Sequence, residues 1–281
     1  MRTAFFGTPH FVTHVLDALN ASGQTPTVIV TQPDRPAGRG LLPRPSPVKL
    51  WADAHGVSTL LPPSIDDSVL GALKGFDLFV VAGYGKILPK ELLEIPKYGT
   101  LNVHPSLLPK FRGPSPIESQ ILSDAKEVGV SIILLDEETD HGPILAQKSF
   151  RPGIWPPMRS ELETLLWSEG GKLLADTIPP YLEGRVTPQE QEHAKATFTP
   201  KLSKDDGQVD LAADPYHNYL KYCAYEGWPG TFFFAERSGK EIRVKVSKAS
   251  FTDGVFQPER VTPEGKREMP YQDFLRAYPS A

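Results

Sequence analysis

Apolar positions over the first ~150 residues alternate between strand-like runs and helical spacing. Residues 2–7 are short and apolar, with Ala4, Phe5 and Phe6 at the centre, and predict a first strand. Phe11, Val15, Leu16 and Leu19 then recur near the 3.6-residue period of a helix, which Gly23 stops. Thr27–Thr31 predicts a second strand and Val57–Leu61 a third, with helices from Pro47 to about His55 and over Ile65–Lys74. Phe76–Ala82 is apolar almost throughout, as in a strand buried on both faces of a parallel sheet. Further strands are predicted at Thr100–His104, Val130–Leu135 and Ile144–Phe150, and a long helix near Glu161–Glu183.

Strands alternating with helices in this way argue an α/β fold, an open, doubly wound, mainly parallel sheet over residues 1–185. Residues 32–47 hold five prolines and two glycines, which predicts a long constrained loop without regular structure. Residues 186–207 are polar, lack hydrophobic periodicity and read as an interdomain linker. Residues 208–281 then predict a small β-rich domain: a helix over Tyr216–Tyr225, strands at Thr231–Phe234 and Ile242–Val246, and a last helix over Tyr271–Tyr278.

Composition narrows the class. In 281 residues, 40% hydrophobic and 23% charged side chains supply enough apolar surface for a packed core, so disorder is excluded as the main state. No apolar run approaches the ~18 residues that cross a bilayer, and no signal-peptide core is visible. A soluble cytoplasmic protein is expected. The 29 prolines, against roughly 14 at average usage, predict stiff loops. Cys223 is the single cysteine; it excludes an intrachain disulfide and reads as a small buried hydrophobe.

A net charge of −4 excludes a general polyanion binder. Yet Arg35, Arg39, Arg44 and Lys49 crowd against only Asp34, a local positive patch that could grip one phosphate backbone. Gly7-Thr8-Pro9 ends the first strand where α/β folds bind ligands, but it is not a dinucleotide fingerprint. No GxxxxGK[ST] phosphate loop is present, and the seven histidines show no HExxH arrangement, so no metal is expected.

The informative stretch is Asn102-Val103-His104-Pro105-Ser106-Leu107-Leu108-Pro109, followed by Phe111-Arg112-Gly113-Pro114. In a strand Asn102 and His104 project from the same face, and Pro105 ends the strand beside them at the crevice edge of the sheet. An amide and an imidazole side by side can hold a carbonyl oxygen and move a proton. The acidic run Asp136-Glu137-Glu138-Thr139-Asp140-His141-Gly142-Pro143 lies between two strands and offers a carboxylate to orient the imidazole.

Together, residues 102–109 and 135–144 resemble the signature of the 10-formyltetrahydrofolate-dependent formyltransferases. Phe5–Pro9, Gln32–Gly40, Ser46–Lys49, Thr199–Gly207, Trp228–Gly230 and Pro263–Arg276 are similar to the tRNA-formylating members of that family. The resemblance implies transfer of formyl from 10-formyltetrahydrofolate to the α-amino group of charged initiator methionyl-tRNA, without a metal. It implies Asn102, His104 and Asp140 as the catalytic trio. Ser106, Leu107, Leu108 and Pro109 would lie along the folate, with Tyr84, Gly85, Ile87 and Leu88 completing the pterin side. Arg35, Arg39, Lys201 and Lys204 would touch tRNA. The family likeness further implies a monomer, no membrane partner, and a C-terminal domain that is OB-like, here neutral and shortened. Leu41 and Leu42 stand where family members often carry lysines, and Pro105 where many carry a small residue. Three other readings remain at this point: a formyltransferase for a small amine such as an amino-sugar nucleotide or glycinamide ribonucleotide, a hydrolase releasing formate from the same folate, and a non-enzymatic RNA-binding module with a decayed folate site.

Overall fold

The computed structural model describes residues 1–37, 42–237 and 239–278, and the chain forms two compact units. The first comprises Met1–Pro116, Glu127–Phe150 and Glu163–Thr199; the second comprises Ile117–Lys126, Arg151–Leu162 and Pro200–Ala281.

In the first unit, strands β1 (Thr3–Phe6) and β2 (Val28–Val30) enclose helix α1 (Thr13–Ala21). A short ribbon of β3 (Arg35–Ala37) and β4 (Leu42–Arg44) follows, then α2 (Pro47–Ala54), β5 (Ser58–Leu60) and α3 (Asp67–Leu73). Next come β6 (Leu78–Val81), α4 (Lys90–Leu93) and β7 (Thr100–His104). Beyond α5 (Pro116–Leu122), which lies in the second unit from Ile117 onward, are β8 (Val128–Leu134), β9 (Ile144–Phe150) and α6 (Arg159–Leu182), the last in the first unit from Glu163 onward. The main sheet has the order β5-β2-β1-β6-β7-β8-β9. The five strands from β5 to β7 pair in parallel, and the β7–β8 and β8–β9 pairings are antiparallel, so only β8 runs against the rest; this bears out the mainly parallel α/β reading.

Local chemistry starts the helices. Ser46 caps α2 by accepting from Lys49 N, with Pro47 supplying a preset φ at the first turn. Asp66 caps α3 by accepting from Ser68 and Val69 N–H; the Ser68 hydroxyl, which also donates to it, and then these N–H groups hold its carboxyl below the usual range. On one face of the sheet Ala4, Phe6, Val28, Val30, Phe79 and Val81 form a core against Val69, Leu73, Tyr84 and Leu92. Asn102 pairs in register with Val81 and so extends this same face. On the opposite face α6 comes close: a Cβ on Gly170 would stand 2.8 Å from Val103, and one on Gly171 2.8 Å from the Val15 Cα of α1.

One loop expectation is corrected. Part of the proline-rich segment is a regular ribbon, with Arg35 opposite Arg44, Pro36 opposite Pro43 and Ala37 opposite Leu42. A two-stranded ribbon is all edge, so prolines lacking an N–H take no hydrogen bond from a third strand. The polar run after α6 also carries pairing: Gln189 bridges Ile144, and Phe198 bridges Arg112.

The second unit contains α7 (Pro215–Ala224), β10 (Phe232–Arg237), β11 (Lys240–Thr252), β12 (Val255–Pro263), β13 (Met269–Pro270) and α8 (Tyr271–Ala277). The strands form an antiparallel meander in sequence order around Val209, Phe233, Val244, Val246, Val261 and Phe274. Strand β12 was missed from sequence because Pro258, Glu259 and Arg260 interrupt its alternation; register shifts between Val246 and Ala249 of β11 absorb that interruption.

Candidate active site

The site grows from the carboxyl end of β7. Asn102 and His104, two positions apart, project on one face and are 8% and 4% exposed. The chain then turns away at Pro105. Ser106, fully buried, donates its hydroxyl to Lys110 O at 2.7 Å and its N–H to His104 O at 2.9 Å, closing the turn. Ser131 of β8, opposite His104 in register, pins the following backbone. Its hydroxyl donates to Ser106 O at 2.6 Å and accepts from Leu108 N at 3.1 Å. Gln147 of β9 donates to Ser131 Oγ and Leu108 O, each at 2.8 Å. Leu107 lies where Gly129 leaves room, because a Cβ on Gly129 would collide with it.

Asp140 reaches the pair from the loop between β8 and β9. Its Oδ1 accepts from Asn102 Nδ2 at 3.3 Å and stands 3.4 Å from His104 Nδ1. Its Oδ2 accepts from Gly113 N at 2.8 Å. The other imidazole nitrogen, Nε2, lies 2.9 Å from Phe111 O. A carbonyl oxygen only accepts, so Nε2 carries a hydrogen in this arrangement, and the nitrogen left to gain or lose a proton is Nδ1, facing the carboxylate. The three groups predicted from sequence are therefore assembled in one cluster, and the Asp140 side chain is its most open member at 14% exposure.

The geometry depends on residues in uncommon backbone states. Phe111 and Asp140 have φ of 62° and 48°, and Gly113 has φ 109°. Phe111, Arg112 and Gly113 form a short strap that bonds His104 at one end and Asp140 at the other. This strap is itself held by residues 197–199. Phe111 N donates to Thr197 Oγ1 at 2.8 Å, Arg112 N to Thr197 O at 2.9 Å, and Thr199 N to Arg112 O at 2.7 Å. Sequence reasoning did not single out Ser131, Gln147, Thr197 or Gln191. The strap residues Phe111, Arg112 and Gly113 follow the informative stretch in sequence, but nothing local marked the bonds they make.

The remaining sequence candidates are distributed as follows. Leu108 is buried, and Leu107 and Pro109 are half-buried. The Tyr84 ring turns into the core edge-on to Phe6, with centroids 5.6 Å apart, and burial raises its hydroxyl pKa. Its backbone carbonyl accepts from Gln32 Nε2 at 2.9 Å. Gly85 is exposed with φ 74°, Ile87 is 90% exposed, and Leu88 is buried. Lys201 and Lys204 are exposed on the segment opening the second unit's C-terminal part. Arg35 lies on β3, with its side chain outside the described set, and Arg39 falls outside the described residues altogether.

A family model described as "Formyl transferase" matches residues 1–156. The methionyl-tRNA formyltransferase of Thermus thermophilus is 39% identical over 300 residues, covering 99% of this chain and 96% of the relative. Among solved structures, methionyl-tRNA formyltransferase from Clostridium thermocellum aligns with a TM-score of 0.60 at 18% identity, over 96% of this chain and 99% of that one. HypX from Aquifex aeolicus, solved in complex with tetrahydrofolic acid, aligns with a TM-score of 0.66 at 17% identity; it matches 99% of this chain, which spans 47% of that larger protein. At those identities the structural likenesses speak for the fold alone. The near-full-length relative and the domain match decide the family: the chain belongs to the formyl transferase family and, within it, groups with the methionyl-tRNA formyltransferases.

Proposed function

We propose that the protein transfers the formyl group of 10-formyltetrahydrofolate to the α-amino group of methionyl-tRNA. The observation that carries the reading is the meeting of Asn102, His104 and Asp140 on one carboxylate oxygen, in a chain 39% identical to a methionyl-tRNA formyltransferase along nearly its whole length. In the reaction the amine lone pair attacks the formyl carbon and the carbonyl oxygen takes up negative charge. The new C–N bond forms, the bond to N10 of the folate breaks, and the amine's proton is passed on as N10 regains one. Asn102 Nδ2 uses one hydrogen on Asp140 and has a second for the oxyanion; such a donor typically contributes about 10²–10³ in rate. Protonation of His104 at Nδ1 is balanced by Asp140, which fixes where the charge resides while the amine is neutralised. An α-amino group titrates near ~8, so an imidazole is a matched partner for its proton.

Leu107, Leu108 and Pro109, with the Gly85–Leu88 segment, are proposed as the folate-contacting edge. The exposed Lys201 and Lys204, together with Arg35 and Arg39, are proposed as phosphate contacts. The test offers the protein 10-formyltetrahydrofolate with methionyl-tRNA, with an amino-sugar nucleotide, or with no acceptor. Formyl-methionyl-tRNA as the sole product supports the reading. Formylation of the sugar amine, or formate release without acceptor, overturns it in favour of the corresponding alternative.

A further inference from the structure

Asp140 sits at φ 48°, in the left-handed region that a residue with a Cβ seldom adopts, and contacts from outside the loop hold it there. Gln191 does so from a distant part of the chain. Buried to 5% exposure, it donates Nε2 to Asp140 O at 2.9 Å and to Gly142 O at 2.7 Å, the two carbonyls that flank the turn. Its Oε1 accepts from Arg112 Nε at 3.2 Å and from Arg112 Nη2 at 2.7 Å. Arginine has no acceptor, so the amide has only one orientation that satisfies these partners. Arg112 is also buried and is the middle residue of the strap whose neighbours bond His104 and Asp140; its Nη2 further meets His193 Nδ1 at 2.9 Å.

From this we infer that Gln191 is a positioning residue for formyl transfer: with Arg112 it clamps the Asp140 turn to the Phe111–Gly113 strap and so fixes the carboxylate against His104 and Asn102. The clamp works on both halves of the pair. Arg112 sets the strap carbonyl that holds His104 Nε2, and Gln191 sets the main chain that carries Asp140. The hydrogen bonds of Gln191 go to two main-chain carbonyls and to Arg112, so its effect is on alignment, where an error near 1 Å can cost about 10²-fold.

The inference rests on the formyl-transfer reading, and its test separates the two. Gln191→Leu removes all of these bonds, whereas Gln191→Glu keeps the size and the acceptor for Arg112 but loses the donor to Asp140 O and Gly142 O. Both are expected to fold, to lower kcat about 10- to 100-fold, and to leave KM for folate and for tRNA within about twofold. Hydrogen–deuterium exchange across residues 136–143, which needs no activity, is expected to speed up about tenfold or more in both. Wild-type turnover in Gln191→Glu, unchanged exchange in that loop, or failure of both variants to fold would overturn the inference. An inactive wild type would overturn the formyl-transfer reading instead, and the exchange measurement alone would then decide whether Gln191 holds the turn.

Discussion

Gly142 has no space for a side chain because a Cβ there would run into the carbonyl oxygen of Leu134. The loop that delivers Asp140 is thus folded back onto the end of β8, and Leu134 N bonds Pro143 O at 3.0 Å to close it. Gly142→Ala must move either β8 or the turn. The expected cost is about 1–3 kcal/mol of stability, as for other overpacked sites, with a drop in turnover from the displaced carboxylate. Thermal unfolding and steady-state kinetics on the same sample check it; an alanine variant with wild-type stability and rate would show that the loop has slack.

The imidazole and the amide are expected to be needed for chemistry more than for folding. His104→Ala and Asn102→Ala should each lose at least about 10²-fold in kcat while the far-UV spectrum and unfolding transition stay close to wild type. Turnover near wild type in either variant would remove that residue from the mechanism.

Lys201 and Lys204 are exposed and carry the proposed electrostatic contacts. Replacing either by alanine should raise KM for methionyl-tRNA, leave KM for folate alone, and reduce the slope of log affinity against log salt by about 1. A slope equal to wild type across a salt series would take that lysine out of the interface.

In α7 and the residue after it, burial pushes the Cys223 thiol up to about 12, and burial first also raises Tyr216, Tyr219 and Tyr225 to about 12. In the unfolded chain these groups lose protons near their ordinary values of ~8.5 and ~10. Their contribution to stability is therefore complete below about pH 8.5 and is lost progressively as pH rises towards about 12. Urea midpoints should fall between pH 8 and pH 11, less steeply in Cys223→Ala, and the native thiol should resist alkylation at pH 8. A flat midpoint across that range would contradict the buried, neutral state of the group.

Much of the scaffold was legible because its signals are local. The apolar run ending at Ala82 and the Thr100–His104 strand could be read from periodicity, and Asn102 and His104 fell on one face by the two-residue repeat of a strand. Asp140 was found through its motif. What escaped were groups whose roles exist only across the fold. Gln191 sits in a polar stretch without periodicity, and its meaning lies in carbonyls 49 and 51 residues away. Ser131 and Gln147 read as ordinary strand residues until pairing set them beside Leu108. The β3–β4 ribbon was hidden because proline normally argues against strands, a rule that weakens where both strands are edges. The family resemblance offered Tyr84 as completing the pterin side, and its ring packs edge-on against Phe6.

The central claim is that Asn102, His104 and Asp140 act as one unit around a bound formyl donor. A double-mutant cycle on His104→Ala and Asp140→Ala, read as single-turnover formylation of methionyl-tRNA, tests it most directly. If the carboxylate works through the imidazole, the double variant should be about as slow as the slower single one. Losses that multiply, leaving the double variant slower by the product of the two, would mean that the groups act independently and would contradict the account.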